Sequence, residues 1–243
     1  MALPVWPLWA QTAPLQVAAA TSLQDVMPAL VQAFARERKV PPPAVVTGAS
    51  GALVEALGQR GARAAADVLL CDDAETIARG VERRLLRPDP VRNFASHGLV
   101  LVVPAGSRLP VRRLTDLANA DVQRIALGRP ASVPVGRFAR QAIDAARLWP
   151  SVQRKVVQAD SARDVLRRVL EGEADAAIVF ASDAQSAGPA LRVVEPLLNH
   201  SAIRLTAAVA VAAAQPDLAA DFVLFLRSPA ATDLMVKAGF GPP

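Results

Sequence analysis

Thr21-Ser22, Thr47 to Ser50, Ser132 and Asp160-Ser161 are hydroxyl-rich points that each follow a short apolar run. Each also precedes a stretch whose apolar residues return every three or four positions, the spacing of one helix face. After Thr21-Ser22 the stripe is Leu23, Val26, Met27, Leu30, Val31 and Phe34. A hydroxyl at such a junction stands where an N-cap belongs, beside backbone N–H groups without an intrahelical partner. Those donors, at the positive end of the helix dipole, make an anion site. One junction alone is ordinary capping. Four of them, after Val17–Ala20, Ala44–Val46, Ile125–Gly128 and Val156-Val157, can converge on one small anion, because ligands of open α/β sheets lie outside the carboxyl ends of the strands.

Other chemistries find little support. Asp72-Asp73 stands between a strand and a helix with no histidine or third carboxylate close in sequence, so helix capping is the expected use of the pair. His97 and His200 are the two histidines, and neither has a carboxylate or cysteine at ligand spacing. Cys71 is the single cysteine, which excludes an intramolecular disulfide and a cysteine zinc cluster; it closes the run Val68-Leu69-Leu70 and is expected buried and inert. No metal ligated directly by the protein, no cofactor and no catalytic group is therefore expected.

Composition agrees with a folded binding module. The chain has 243 residues, 52% of them hydrophobic and 20% charged, enough for one large domain or two small ones. No apolar run approaches the ~18 residues that a membrane helix needs. The net charge is +5, with lysine only at positions 39, 155 and 237. Its arginines are scattered and aromatic residues make up 4%, so a dispersed basic surface is expected and not a nucleic-acid interface.

Stepping along the chain, strand and helix patterns alternate: Gln16–Ala20, Leu23–Arg38, Ala44–Thr47, Ala52–Arg60, Ala66–Cys71. Residues 84–96 read as a proline-broken connector, and Asn199–Ser201 as a second one. Between them lies another alternation, from the apolar strand Leu99–Val103 to Ala176–Phe180. The expectation is an α/β protein of two lobes with mostly parallel sheets joined by a two-crossing hinge. The lobes are placed at 14–92 plus 204–243, and at 93–203. Residues 1–13, apolar and ending in small residues, resemble the back half of a secretion signal, which points to export.

Five short motifs then occur in an order that resembles the periplasmic molybdate-binding proteins of ABC importers, over nearly the whole of Leu15 to Phe240. Ala19-Ala20-Thr21-Ser22-Leu23 is similar to that family's Ala-Ala-Ser-Leu opening, and Gly48-Ala49-Ser50-Gly51-Ala52-Leu53 to its second serine loop. Ala66-Asp67-Val68 with Asp72-Asp73, Val133-Pro134-Val135-Gly136 and Ala181-Ser182-Asp183-Ala184 complete the likeness. The resemblance implies a periplasmic-binding-protein-like fold, a monomer that is not an enzyme, and delivery of molybdate or tungstate to importer membrane subunits. It also implies that the oxyanion is held by Ser22 and Ser50 through hydroxyl and N–H, by the N–H groups of Val135 and Ala162, and at the position of Phe180. There the family carries a tyrosine, and this chain has no tyrosine at all, so a water or His97 would take the place of its hydroxyl. Val135 for alanine, Arg129 where aspartate is common, and His97-Gly98 before the Leu99 strand are further departures.

Neutral donors suit a desolvated dianion, since they satisfy its oxygens without the desolvation cost of a buried arginine. Such a site should vary little with pH near neutrality. Other readings of the same scaffold are a binding protein for a sulfate-like or small organic anion, and an anion-sensing domain without transport.

Overall fold

The structure, a computed structural model, describes residues 13–59 and 66–243. The signal-like start lies outside the described residues but for Ala13. In chain order the elements are β1 (Gln16–Ala20), α1 (Met27–Arg38), β2 (Ala44–Gly48), α2 (Ser50–Gln59), β3 (Val68–Cys71), α3 (Ala74–Glu82) and β4 (Leu86–His97). There follow β5 (Leu99–Pro104), β6 (Ile125–Gly128), α4 (Pro134–Ala145), α5 (Trp149–Val152), β7 (Val156–Ala159), α6 (Ala162–Leu170), β8 (Ala176–Phe180) and α7 (Ala181–Ala187). The chain closes with β9 (Leu191–Leu197), β10 (Ile203–Ala210), α8 (Pro216–Phe225) and α9 (Pro229–Lys237). No described helix is long and apolar enough to cross a membrane.

Two five-stranded sheets form, in the orders β2-β1-β3-β10-β4 and β7-β6-β8-β5-β9. In the first, β1 runs parallel to β2 and β3, while β10 runs antiparallel to β3 and β4. Four strands thus share one direction and β10 opposes them. The second sheet repeats this pattern, with β6 parallel to β7 and β8, and β5 antiparallel to β8 and β9. The α/β architecture and mostly parallel strands read from the sequence are present twice, each time with one reversed strand.

Helices cover both faces of the first sheet, which explains its near-continuous apolar strands. Val17 and Ala19 of β1 join one buried cluster with Phe34 and Phe222, and Ala18 between them joins another with Val54 and Leu57. Phe34 meets Phe222 edge-on at 4.9 Å and 86°, an aromatic contact worth about 1 kcal/mol beyond its buried area. A separate cluster built on β5, β6 and β8 fills the second lobe.

Three local readings change. Residues 84–96, expected as a connector, contain a twelve-residue strand, β4. Its prolines, Pro88 and Pro90, are tolerated because β4 is the sheet's edge, where a missing N–H costs no ladder bond. The strand pairs with β10 as far as His97, so residues 93–97 sit in the first sheet and not past the crossing expected at 92. The helix expected from Leu23 begins at Met27, with Pro28 in its first turn; Thr21–Leu23 is a separate 3-10 turn without a side-chain cap. The chain crosses between lobes at Gly98 and again over residues 198–202.

Candidate functional site

Residues just past β1, β2 and β3 meet residues just past β6, β7 and β8. Asp25, after β1, accepts from Arg163 at 2.6 Å and from the Ser186 hydroxyl at 2.7 Å. Burial alone would raise the Asp25 pKa, but these two hydrogen bonds bring it below the usual carboxylate value. Gly51, after β2, lies so close to the second lobe that a Cβ on it would stand 2.9 Å from the Ser132 carbonyl oxygen. Asp73, after β3, faces the Arg137 guanidinium of α4 at 2.8 Å, off the line of a hydrogen bond. The carboxylate of Asp73 also caps α3, accepting from Thr76 N–H at 2.7 Å and from its hydroxyl at 2.9 Å. Capping is thus the use of one of the two adjacent acids.

The other acid does something else. Asp72 is buried, accepts from the Ser22 hydroxyl, and donates its backbone N–H to the Ser50 hydroxyl oxygen at 3.3 Å. Asp72 therefore links the two hydroxyls expected to face an anion, Ser22 through its carboxylate and Ser50 through its backbone N–H. The neighbour of that carboxylate is His97, whose Nε2 lies 3.7 Å from Asp72 Oδ1, a charge contact and not a hydrogen bond. Nε2 is buried without a hydrogen-bond partner, while Nδ1 stands 3.4 Å from the Ser182 hydroxyl. The imidazole lies flat on Phe180, with ring centres 3.9 Å apart and planes 6° apart, and is flanked by Phe240 at 4.7 Å. Burial lowers its pKa, and the hydrogen-bonding and charge influence of Asp72 works in the opposite direction. The sequence reading of His97 as lacking a carboxylate partner is corrected here, since 25 positions of chain separate two groups that the sheet ends bring together.

All five residues named from the sequence are buried. Ser22, Ser50 and Phe180 belong to the connected cluster with Asp72 and His97. Val135 and Ala162 occupy the first turns of α4 and α6, where backbone N–H groups have no intrahelical acceptor. Among the described residues neither makes a hydrogen bond to Ser22, Ser50 or Asp72. Ser161 caps α6, its hydroxyl accepting from Asp164 N–H at 3.0 Å. The start of α4 is held against the end of β6 by two glycines: a Cβ on Gly136 would stand 1.9 Å from the Gly128 carbonyl oxygen. Arg129, expected to be an aspartate, instead ties the ends of β6 and β7 by contacts to Asp160 at 3.0 Å and Gln158 at 2.8 Å.

Two more titratable groups complete the surroundings. Burial pushes the Asp183 carboxyl up to about 7; Arg163 opposes this, and the charges of Asp72 and Asp25 add to it. Its Oδ2 is buried without a partner. The Cys71 thiol is buried and its pKa raised, first by burial and then by Asp73 and Asp72, so it stays an inert thiol as expected. Among the described residues no group of three or more His, Cys, Asp or Glu side chains is arranged to hold a metal ion.

Asp72 is the member of this cluster that the sequence reading missed, while His97, weighed there against a water as the group beside Phe180, is found stacked on it. A signal for Asp72 was present: it follows β3 as Ser22 follows β1, and strand ends are where such folds place ligands.

A family model described as bacterial extracellular solute-binding protein matches residues 15–241. The lipoprotein YvgL of Bacillus subtilis is 27% identical over 227 residues, covering 93% of this chain and 85% of that one. The molybdate-binding protein ModA of Mycobacterium tuberculosis is 30% identical over 181 residues, covering 74% of this chain and 67% of that one. Among solved structures, the periplasmic molybdate-binding protein of Azotobacter vinelandii superposes with a TM-score of 0.81 at 19% identity. That match covers 94% of this chain and 99% of the other, and at such identity it is the fold that is shared.

Proposed function

The chain belongs to the bacterial extracellular solute-binding proteins, and on that premise we propose that it captures molybdate or tungstate between its lobes and delivers it to an ABC importer. The observation that supports this reading is that residues past β1, β2 and β3 contact residues past β6, β7 and β8, with Ser22, Ser50, Val135, Ala162 and Phe180 all buried. First-turn N–H groups and hydroxyls supply neutral donors for a tetrahedral oxyanion, and the role is binding rather than catalysis. The ModA relatives support molybdate over other anions of the same shape. The lobes, taken as 14–97 plus 203–243 and 99–197, would close by rigid-body rotation about Gly98 and residues 198–202. The site of action is outside the cytoplasmic membrane, with importer membrane subunits as the partner.

A calorimetric titration with molybdate, tungstate, sulfate and phosphate tests the proposal. Molybdate and tungstate should bind comparably and sulfate much more weakly, because donors spaced for the larger tetrahedron cannot all reach a smaller one. Equal binding of sulfate or phosphate would remove the molybdate assignment and leave only the oxyanion class.

A further inference from the structure

The oxyanion reading leaves one group unexplained: a buried carboxylate that accepts from one of the anion's expected donors, the Ser22 hydroxyl. Asp72 bonds the Ser22 hydroxyl through its side chain and the Ser50 hydroxyl through its N–H. An oxyanion placed on those hydroxyls would lie within a few ångströms of the Asp72 carboxylate. Like charges that close in a partly buried site repel strongly, and a dianion doubles the effect. Among the described residues nothing near Asp72 cancels its charge permanently. Arg163 is engaged by Asp25, and Arg137 by Asp73 and Glu75. Asp183 is a further acid, and Cys71 a neutral thiol. Among the described residues, the one group that can turn cationic beside Asp72 is His97, 3.7 Å away, with a buried Nε2 that has no partner.

From this geometry we infer that Asp72 and His97 form a specificity-determining pair that takes up one proton when a dianionic oxyanion binds. The inference rests on the oxyanion reading above, not on which oxyanion is bound. Solvent supplies the proton, and no bond to the anion is made or broken. It lies between His97 Nε2 and Asp72 Oδ1, which stand 3.7 Å apart. Held on His97, it places an imidazolium beside Asp72; held on Asp72, it makes the carboxyl neutral and able to donate. Either arrangement turns a repelling site into one that accepts a dianion. With the lobes together, as here, burial lowers the His97 pKa, so without an anion the ring is neutral and the proton enters with the anion.

The sign follows from linkage. When the complex binds one more proton than the free partners, affinity falls by about tenfold for each pH unit above the pair's free-state titration. This reverses the pH independence expected from neutral donors alone.

Calorimetry of molybdate, tungstate and sulfate at pH 6 and pH 8, each in two buffers of different ionisation enthalpy, counts the protons directly. These anions stay fully ionised over that range, so any uptake is the protein's. The expected result at pH 8 is uptake near one proton per anion, lost in Asp72→Asn and kept in Asp183→Asn. Melting curves of each variant report whether it folds, and the proton count on the unaltered chain stands without them. Molybdate binding with no proton uptake overturns the inference and leaves the proposed function intact. Uptake with sulfate and no binding of molybdate removes the molybdate assignment and supports the pair. Uptake lost in Asp183→Asn but kept in Asp72→Asn overturns the choice of residues. If none of the three anions binds the unaltered chain at either pH, both readings fall.

Discussion

Past β1, β2 and β3 the first lobe brings side chains to the interface: Ser22, Ser50 and the carboxylate of Asp72. Past β6, β7 and β8 the second lobe brings the backbone of Val135 and Ala162 and the ring of Phe180. On the proposed reading both halves face the same anion, yet they can be altered in different ways. Hydroxyls and carboxylates change with one substitution or one proton. Backbone N–H groups survive any substitution except proline and move only when the helix carrying them moves. On that reading discrimination is concentrated in the first lobe and in His97 at its edge, while the second lobe supplies a fixed platform.

The largest effect expected is on that platform. Gly136→Ala forces a Cβ against the Gly128 carbonyl, where 1.9 Å leaves no room, and it must lift the first turn of α4 off β6. A cost of about 3 kcal/mol or more is expected, or roughly 6–12 °C in Tm, with anion affinity lost as Val135 moves. Differential scanning calorimetry with a parallel binding titration measures both. An unshifted Tm would mean that α4 is not seated glycine on glycine.

Ser50→Ala tests the side-chain half. Removing a charge-assisted bond worth roughly 1.5–3 kcal/mol should weaken anion binding by about 10–100-fold. Were Ser50 only a support for α2, Tm would fall and the Kd would stay put. Phe180→Tyr would carry side-chain chemistry into the second lobe. The added hydroxyl should tighten molybdate binding by about tenfold without changing the order of anions. Unchanged or weaker binding in that variant would mean that the stack on His97 leaves the hydroxyl no access to the site. The smallest effect belongs to the rim. Asp25 is half exposed, so its pair with Arg163 is worth about 0.5 kcal/mol, and Asp25→Ala should cost no more than about threefold in affinity. A tenfold or larger loss would place Asp25 among the groups that decide closure.

How much of this could be read from the chain itself varied with the range of the interactions. Strand-to-helix alternation and the stripe from Leu23 to Phe34 are local patterns, and they led to two lobes and to the junctions at Ser22, Ser50, Val135 and Ala162. β4 was hidden because proline is a poor strand signal, and only its place at the sheet edge makes Pro88 and Pro90 harmless. Asp72 was taken with Asp73 as a capping pair, and locally the two look alike. What separates them is their orientation at the end of β3: Asp73 turns to its own helix, and Asp72 to Ser22 and His97. The His97–Phe180 stack joins residues 83 positions apart in different sheets, which no spacing rule anticipates.

That stack has a consequence for traffic between full and empty protein. His97 ends the last strand of the first lobe before Gly98, and Phe180 ends a strand of the second, so parting the lobes parts the rings. A parted imidazole meets water and regains its ordinary basicity. In a mildly acidic medium the unloaded molecule then gains by staying open, where His97 can hold a proton in water. The loaded molecule gains by staying shut, where the same proton offsets the solute's charge. On the proposed reading, acidity widens the gap in posture between carriers with and without cargo, and a receptor that recognises the shut form would waste fewer encounters on empty ones.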